Sequence, residues 1–148
     1  IRQLIVAGHV EQAASLLGRH YALSGVVSPG EGKGRTLGCP TANLRLPPDR
    51  VAPADGIYAS VAILNGERHD SVAYIGTRPT FDGGERGLEV FILDGTHELY
   101  GRMLTVEFIS RIRGDARFDS GGALSRQIMA DVDSARIILR RHHETIRR

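Results

Sequence analysis

The sequence predicts a mainly β domain, a small antiparallel sandwich or barrel with helices at both ends. Two observations carry this prediction. Six runs rich in β-forming residues lie between positions 22 and 110, and short turn signals of Gly, Pro, Asn and Asp separate them. After residue 120 a helical apolar period replaces the strand pattern. The 148 residues are enough for one domain with its own core.

The first 18 residues predict two short helices. Gly8 and Gly18 interrupt or end them, because glycine is the usual residue just past a helix. We expect linker helices over residues 1–18, leading into a domain over residues 19–148. The apolar residues at helical spacing are Leu4, Ile5, Val10, Ala13, Leu16 and Leu17.

Six strands are expected next, and Asn65-Gly66 between two of them predicts a tight hairpin. A helix over residues 121–145 should then dock on the sheet, with Ser120 or Asp119 as its N-cap. The predicted strands cover residues 22–27, 41–46, 57–64, 71–75, 88–93 and 103–110. The apolar stripe of the helix is Leu124, Ile128, Val132, Ala135 and Leu139.

Composition excludes several classes of protein. The net charge of +2, with four Phe, four Tyr and no Trp, gives little support for a barrel that binds nucleic acid. No apolar run approaches the ~18 residues of a membrane helix, and no Cys/His cluster has zinc spacing. Cys39 is the only cysteine, which excludes an internal disulfide and fits the cytoplasm. We expect no membrane or nucleic-acid partner.

Residues 30–44 carry the strongest local motif. If the chain is extended from Thr41, then Thr41 and Asn43 point the same way and offer two oxygen ligands, as Mg²⁺ prefers. The glycines of the preceding Gly30-Glu31-Gly32-Lys33-Gly34 would let backbone N–H groups approach phosphates. Together these parts predict a nucleotide site. Taken separately, they also fit an ordinary loop and a half-exposed strand.

Glu89 is the best candidate for a general base. Strand alternation puts it on one face with Phe91 and Leu93, and it is the only charge in residues 88–93. A partly buried carboxylate is suited to accept a proton. The alternative is an edge-strand charge that limits aggregation.

Four motifs together resemble the riboflavin kinase family, which in bacteria usually forms the C-terminal half of bifunctional FAD synthetases. The resemblance covers residues 14–139. It departs from the family pattern at Cys39, Tyr74, Phe91, Gly95 and Asp115. The matching motifs are Gly34-Arg35-Thr36-Leu37-Gly38-Cys39-Pro40-Thr41-Ala42-Asn43-Leu44, Ile75-Gly76-Thr77-Arg78-Pro79-Thr80-Phe81, Glu98-Leu99-Tyr100-Gly101 and Ile112-Arg113-Gly114-Asp115-Ala116-Arg117-Phe118.

The resemblance implies a six-stranded antiparallel Greek-key barrel that phosphorylates riboflavin with ATP and Mg²⁺, giving FMN and ADP. It implies that Thr41 and Asn43 hold the metal and the phosphates, and that Glu89 is the catalytic base. An FMN adenylyltransferase domain would precede this domain in the full-length chain. The implied phosphate-covering residues are Gly30, Lys33, Gly34 and Arg35, and the implied flavin contacts are Ile92, Tyr100, Arg113 and Phe118. The rival interpretation is a barrel that binds flavin without catalysis.

Overall fold

The computed structural model describes residues 1–28, 41–77, 85–95, 97–115 and 120–146. Its six strands are β1 (Ala22–Val26), β2 (Ala42–Arg45), β3 (Gly56–Leu64), β4 (Glu67–Thr77), β5 (Arg86–Ile92) and β6 (Met103–Arg113). They form one antiparallel sheet in the order β1-β6-β3-β4-β5-β2. All six predicted strands are confirmed.

The sheet curls into a nearly closed barrel because its two edge strands, β1 and β2, approach each other. Ser28, just beyond β1, forms a β-bridge with Asn43 of β2. A Cβ at Gly25 of β1 would lie 3.4 Å from the Leu44 side chain. The barrel prediction is confirmed, and the contact between β1 and β2 excludes an open sandwich.

Alternating side chains give the barrel an interior and an outer face. Leu44, Ile75, Val90 and Phe108 are among the residues buried in the interior. The outer face of β3 and β4 carries a second cluster, which the C-terminal helix α3 (Gly121–Ile146) covers. That cluster includes Ile57, Val72, Tyr74, Ala135 and Leu139.

The N-terminal helices α1 (Arg2–Val6) and α2 (Val10–Leu17) are both present as predicted. Gly18 ends α2 in the left-handed conformation at φ 75°. Val10 and Ala13 are buried in the same cluster as the barrel interior. Leu16, one of the apolar residues at helical spacing, is exposed. Residues are about 100° apart around a helix, so Leu16 lies about a quarter turn from the face that packs.

β4 and β6 extend furthest beyond the limits that the sequence pattern indicated. The hairpin turn contains only Asn65 and Gly66, both at positive φ, and so β4 already begins at Glu67, paired with Leu64. The first residues of β4 are polar, so the pattern of β-forming residues did not indicate this start. The end of β6 was predicted at Ser110, but two register shifts against β3 carry it on to Arg113.

The predicted cap and stripe of α3 are confirmed. The Ala123 N–H donates to Ser120 Oγ at 3.0 Å, which satisfies a donor of the first turn. Ala135 and Leu139 are buried, and the other three stripe residues are partly buried. Asp119, the alternative cap, lies outside the described residues. No helix in the described ranges combines the length and apolar character needed to span a bilayer.

Stability should fall below neutral pH partly because of His142 in α3. Burial, and then the imidazoles of His20 and His143, lower the pKa of His142 below its ordinary value. The folded chain therefore binds this proton less readily than the unfolded chain. The stabilising contribution is complete above the unfolded pKa of about 6.5 and is lost as the pH falls below it. Urea unfolding at pH 7.5 and 5.5 should show a smaller loss in His142→Gln than in the unchanged protein.

His9→Gln is the matched control, because His9 is exposed between α1 and α2. It should lose as much stability on acidification as the unchanged protein. An equal loss in His142→Gln would contradict the assignment.

Candidate functional site

Three polar side chains lie side by side on the outer face of the barrel. Asn43 of β2 pairs directly with Glu89 of β5, and Glu89 pairs directly with Tyr74 of β4. Directly opposed residues of antiparallel strands share a face, with Cβ atoms about 5 Å apart. The sheet register therefore brings together side chains that are distant in the sequence.

Glu89 lies on the outer face of β5. Leu88 and Val90 are buried in the barrel interior, whereas Phe91 packs on the outer cluster with Tyr74. The predicted alternation of β5 is therefore confirmed. Glu89 is half-buried, and none of the described residues forms a hydrogen bond or ion pair with its carboxylate. Its role as a base stays a prediction.

Asn43 presents an oxygen atom that needs a partner. Its backbone carbonyl accepts hydrogen bonds from the Ser28 N–H at 2.8 Å and from Ser28 Oγ at 3.2 Å. The side chain is only 6% exposed, and its Oδ1 has no hydrogen-bond partner among the described residues. A buried acceptor left unpaired costs about 1–3 kcal/mol, so this oxygen is suited to a cation or a donor from a ligand. Thr41 lies one residue before β2.

A pair of glycines adjoins the three side chains. The next cross-strand pair on the same face is Gly76 with Gly87, and neither residue contributes a side chain. The Tyr74 ring lies over Gly76, two residues further along β4, where a Cβ would overlap the tyrosine hydroxyl. Glycine at position 76 therefore permits the orientation of Tyr74.

Arg113 is held by a buried carboxylate. Its Nε lies 3.0 Å from Asp131 Oδ1, and its Nη2 lies 2.8 Å from Asp131 Oδ2. Gln127 donates to the same carboxylate at 3.0 Å. Arg113 is therefore not a solvated loop arginine, because the longer β6 carries it against α3. Its predicted contact with flavin stays a prediction.

The remaining predicted residues are dispersed. Ile92 is in the barrel interior, on the face opposite Glu89. Tyr100 is 47% exposed, and the adjacent Gly101 N–H donates to Val27 O at the end of β1. Their flavin contacts stay predictions. Five other predicted residues lie outside the described part of the chain: Gly30, Lys33, Gly34, Arg35 and Phe118.

A metal at this site would depend on few protein ligands. Within the described ranges, no group of three or more His, Cys, Asp or Glu side chains could hold a metal ion. The unpaired Asn43 Oδ1 fits a hard cation that takes its other ligands from phosphates and water.

A family model for riboflavin kinase, called Flavokinase, matches residues 17–139. The chain belongs to the riboflavin kinase family. Members of this family generally use ATP and a divalent metal ion.

Similar proteins carry the same family name. Proteins from Haemophilus influenzae and Escherichia coli K12, both named bifunctional riboflavin kinase/FMN adenylyltransferase, are 40% and 42% identical to this chain over 137 residues. The matches cover 92% of this riboflavin kinase family chain but 44% of each relative. The chain therefore spans less than half of their length.

Two solved structures share the fold. A crystal structure described as a macrolide-efflux protein from Streptococcus pneumoniae matches with a TM-score of 0.84 and 38% identity, over 91% of this chain and 44% of that one. A riboflavin kinase from Trypanosoma brucei matches with a TM-score of 0.56 and 25% identity, over 80% and 79% of the two chains.

Two residues that matter in this region were not predicted from the sequence. Ser28 anchors Asn43 from the far edge of the sheet, and no local pattern indicates that contact. The burial of Asp131 could have been predicted from the sequence. Asp131 lies three residues after Ile128 and four before Ala135, which places it on the apolar stripe of α3. A lone carboxylate at such a position indicates a buried partner.

Proposed function

We propose that this chain transfers the γ-phosphate of ATP to the ribityl 5′-hydroxyl of riboflavin, giving FMN and ADP. One observation carries the proposal: the half-buried carboxylate of Glu89 lies directly across from Asn43, and neither this carboxylate nor Asn43 Oδ1 has a partner among the described residues. Membership of the riboflavin kinase family supplies the substrates. Phosphoryl transfer requires mainly positioning, charge neutralisation and a base, and this outer face offers the last of these.

Glu89 accepts the proton of the ribityl hydroxyl in this proposal. As the oxygen forms its bond to the γ-phosphorus, the bond from that phosphorus to the β–γ bridging oxygen breaks and ADP leaves. No covalent enzyme intermediate is required.

Asn43 and Thr41 are proposed to hold Mg²⁺ together with the nucleotide phosphates. When bound, the ion would neutralise phosphate charge during transfer. Asn43 Oδ1 supports this role because it is buried and no described residue bonds it. Gly30, Lys33, Gly34 and Arg35 are proposed to cover the phosphates, on the motif alone.

Asn43→Leu should raise the Mg²⁺ concentration required for half-maximal activity by about tenfold, which corresponds to ~1.4 kcal/mol. Leucine has a similar size but offers no oxygen ligand. The measurement is initial rate against free Mg²⁺ at saturating riboflavin. Asn43→Asp keeps an oxygen and should retain a low requirement. An unchanged Mg²⁺ dependence in Asn43→Leu would remove Asn43 from the metal site.

The direct test of function is to incubate the protein with riboflavin, ATP and Mg²⁺ and to separate the flavins by chromatography, with a metal-free control. FMN should form only when the metal is present. Absence of FMN at high protein concentration rejects the kinase. Quenching of riboflavin fluorescence without FMN would favour the non-catalytic flavin-binding barrel.

The full-length protein is also proposed to include an FMN adenylyltransferase domain. The names of the curated relatives support this, and less than half of each relative corresponds to this chain. In that arrangement residues 1–18 would form the connecting helices and residues 19–148 the kinase domain.

A further inference from the structure

We infer that a cavity between α2, β6 and α3 binds a phosphate group, either as the free ion or as the monoester of a small molecule. The cavity has a volume of about 770 Å³ and is lined by α2, by the outer face of β6 and by the C-terminal half of α3. In the strand order of the barrel, β6 lies three positions from β5, which carries Glu89. The cavity and the candidate site therefore lie on opposite sides of the barrel.

Two arginine side chains of the cavity are available to a ligand. Arg19 lies in the link between α2 and β1, and Arg141 lies in α3. Both are exposed, and neither guanidinium forms an ion pair or hydrogen bond with any of the described residues. A guanidinium presents several N–H donors in one plane, and these match the oxygens of a phosphate. The two arginines therefore offer charged donors from two different elements.

Two imidazoles of the cavity carry buried nitrogen atoms that need partners. The rings of His20 and His142 meet edge to face, with their centroids 4.9 Å apart. His20 Nδ1 and His142 Nε2 are buried, and neither has a hydrogen-bond partner among the described residues. A buried polar atom without a partner destabilises the fold. An imidazole N–H can donate to a phosphate oxygen, so a bound phosphate would satisfy these atoms.

The charge of the lining favours an anion over a metal ion as the ligand of the imidazoles. Three arginines and two glutamates line the cavity, so its charge is positive even when both imidazoles are neutral. The two carboxylates are already engaged within the protein. Glu107 pairs with Arg68, and Glu11 accepts a hydrogen bond from Ser110 Oγ. The groups that remain for a ligand are therefore mainly donors.

The cavity also has room for the body of a phosphate monoester. Its volume is larger than a phosphate ion requires. Ile109, Ile138 and Ile146 belong to the lining beside the basic side chains. Apolar contact with these isoleucines would favour a monoester over the free ion.

The test is a titration of the chain with inorganic phosphate, in EDTA at constant pH and ionic strength, followed by NMR of the histidine side chains. The resonances of His20 and His142 should shift with a dissociation constant on the order of 1 mM, which a few charge-assisted hydrogen bonds can supply. Those of His9, which is exposed and does not line the cavity, should not shift. Absence of a saturable shift, or an equal shift of His9, would overturn the inference.

Arg141→Gln should weaken phosphate binding about tenfold, as for loss of one charge-assisted hydrogen bond. Arg140→Gln is the matched control, because Arg140 is the neighbouring exposed arginine of α3 and does not line the cavity. It should leave the dissociation constant unchanged. The rise in Tm with phosphate provides a second measurement, and it should be smaller in Arg141→Gln alone. Equal effects of the two substitutions would exclude the cavity as the site.

A parallel titration with phenyl phosphate distinguishes the two sources of the phosphate group. Tighter binding than inorganic phosphate would identify a monoester as the ligand, and equal or weaker binding would identify the free ion. Asn43→Leu should leave both titrations unchanged, because Asn43 lies on the opposite side of the barrel. Loss of the histidine shifts in Asn43→Leu would overturn the inference. Phosphate binding is measured without FMN formation, so failure of the proposed function leaves this result decisive.

Discussion

Glu89→Gln is expected to lower the turnover of FMN formation by about 10²–10⁴-fold, the usual contribution of a positioned general base. Glutamine preserves the size and polarity of the side chain but cannot accept the hydroxyl proton. Glu89 lies on the outer face without a protein partner, so the substitution breaks no ion pair or hydrogen bond among the described residues. KM for riboflavin and for ATP should change little.

The measurement is steady-state formation of FMN, with riboflavin binding measured separately by fluorescence quenching. Glu67→Gln provides the matched control, because Glu67 is 77% exposed at the hairpin end of the sheet. That control should keep full activity. Normal turnover in Glu89→Gln would show that the proton goes elsewhere.

Asp131→Ala is expected to lower the free energy of unfolding by about 3 kcal/mol, because it leaves the Arg113 guanidinium without its buried counterion. Asp131 is 5% exposed and Arg113 is 21% exposed, so water can replace only part of the lost interaction. The partial exposure of Arg113 places the loss at the low end of the range for buried pairs. Gln127 also loses its acceptor.

Urea unfolding measures this loss, and Asp94→Ala is its control. Asp94 pairs with Arg136, which lies in the same helix as Asp131. Because Asp94 is 76% exposed, the removal of its carboxylate should cost less than about 1 kcal/mol. Replacing Arg113 and Asp131 together by leucine should cost less than Asp131→Ala alone, because no charge remains buried. Equal losses for Asp131→Ala and Asp94→Ala would show that burial does not strengthen the pair.

Local signals were sufficient for most of the fold. Alternation placed Glu89 opposite Leu88 and Val90, and Asn65-Gly66 located the hairpin, because both patterns depend on neighbouring residues. The strand limits were less predictable. The start of β4 at Glu67 is polar, and the last three residues of β6 depend on a shifted register against β3.

The features of the site that the sequence did not predict are contacts between residues far apart in the chain. The pairing of Asn43 with Glu89 and of Glu89 with Tyr74 follows from sheet register, which no single strand encodes. The Tyr74–Asp115 bond is more informative still. Both residues depart from the family pattern in the sequence, and only the structure shows that they meet.

The bridge between Ser28 and Asn43 makes the candidate site the weakest seam of the barrel. Five strand pairs form ladders of four or more residue pairs, whereas in the described residues β1 and β2 are joined through this single bridge. Local opening should cost least there, and amide hydrogens beside the seam should exchange with solvent earliest. A ligand held by Asn43 would clamp the seam, so occupancy of the site and closure of the barrel become thermodynamically linked.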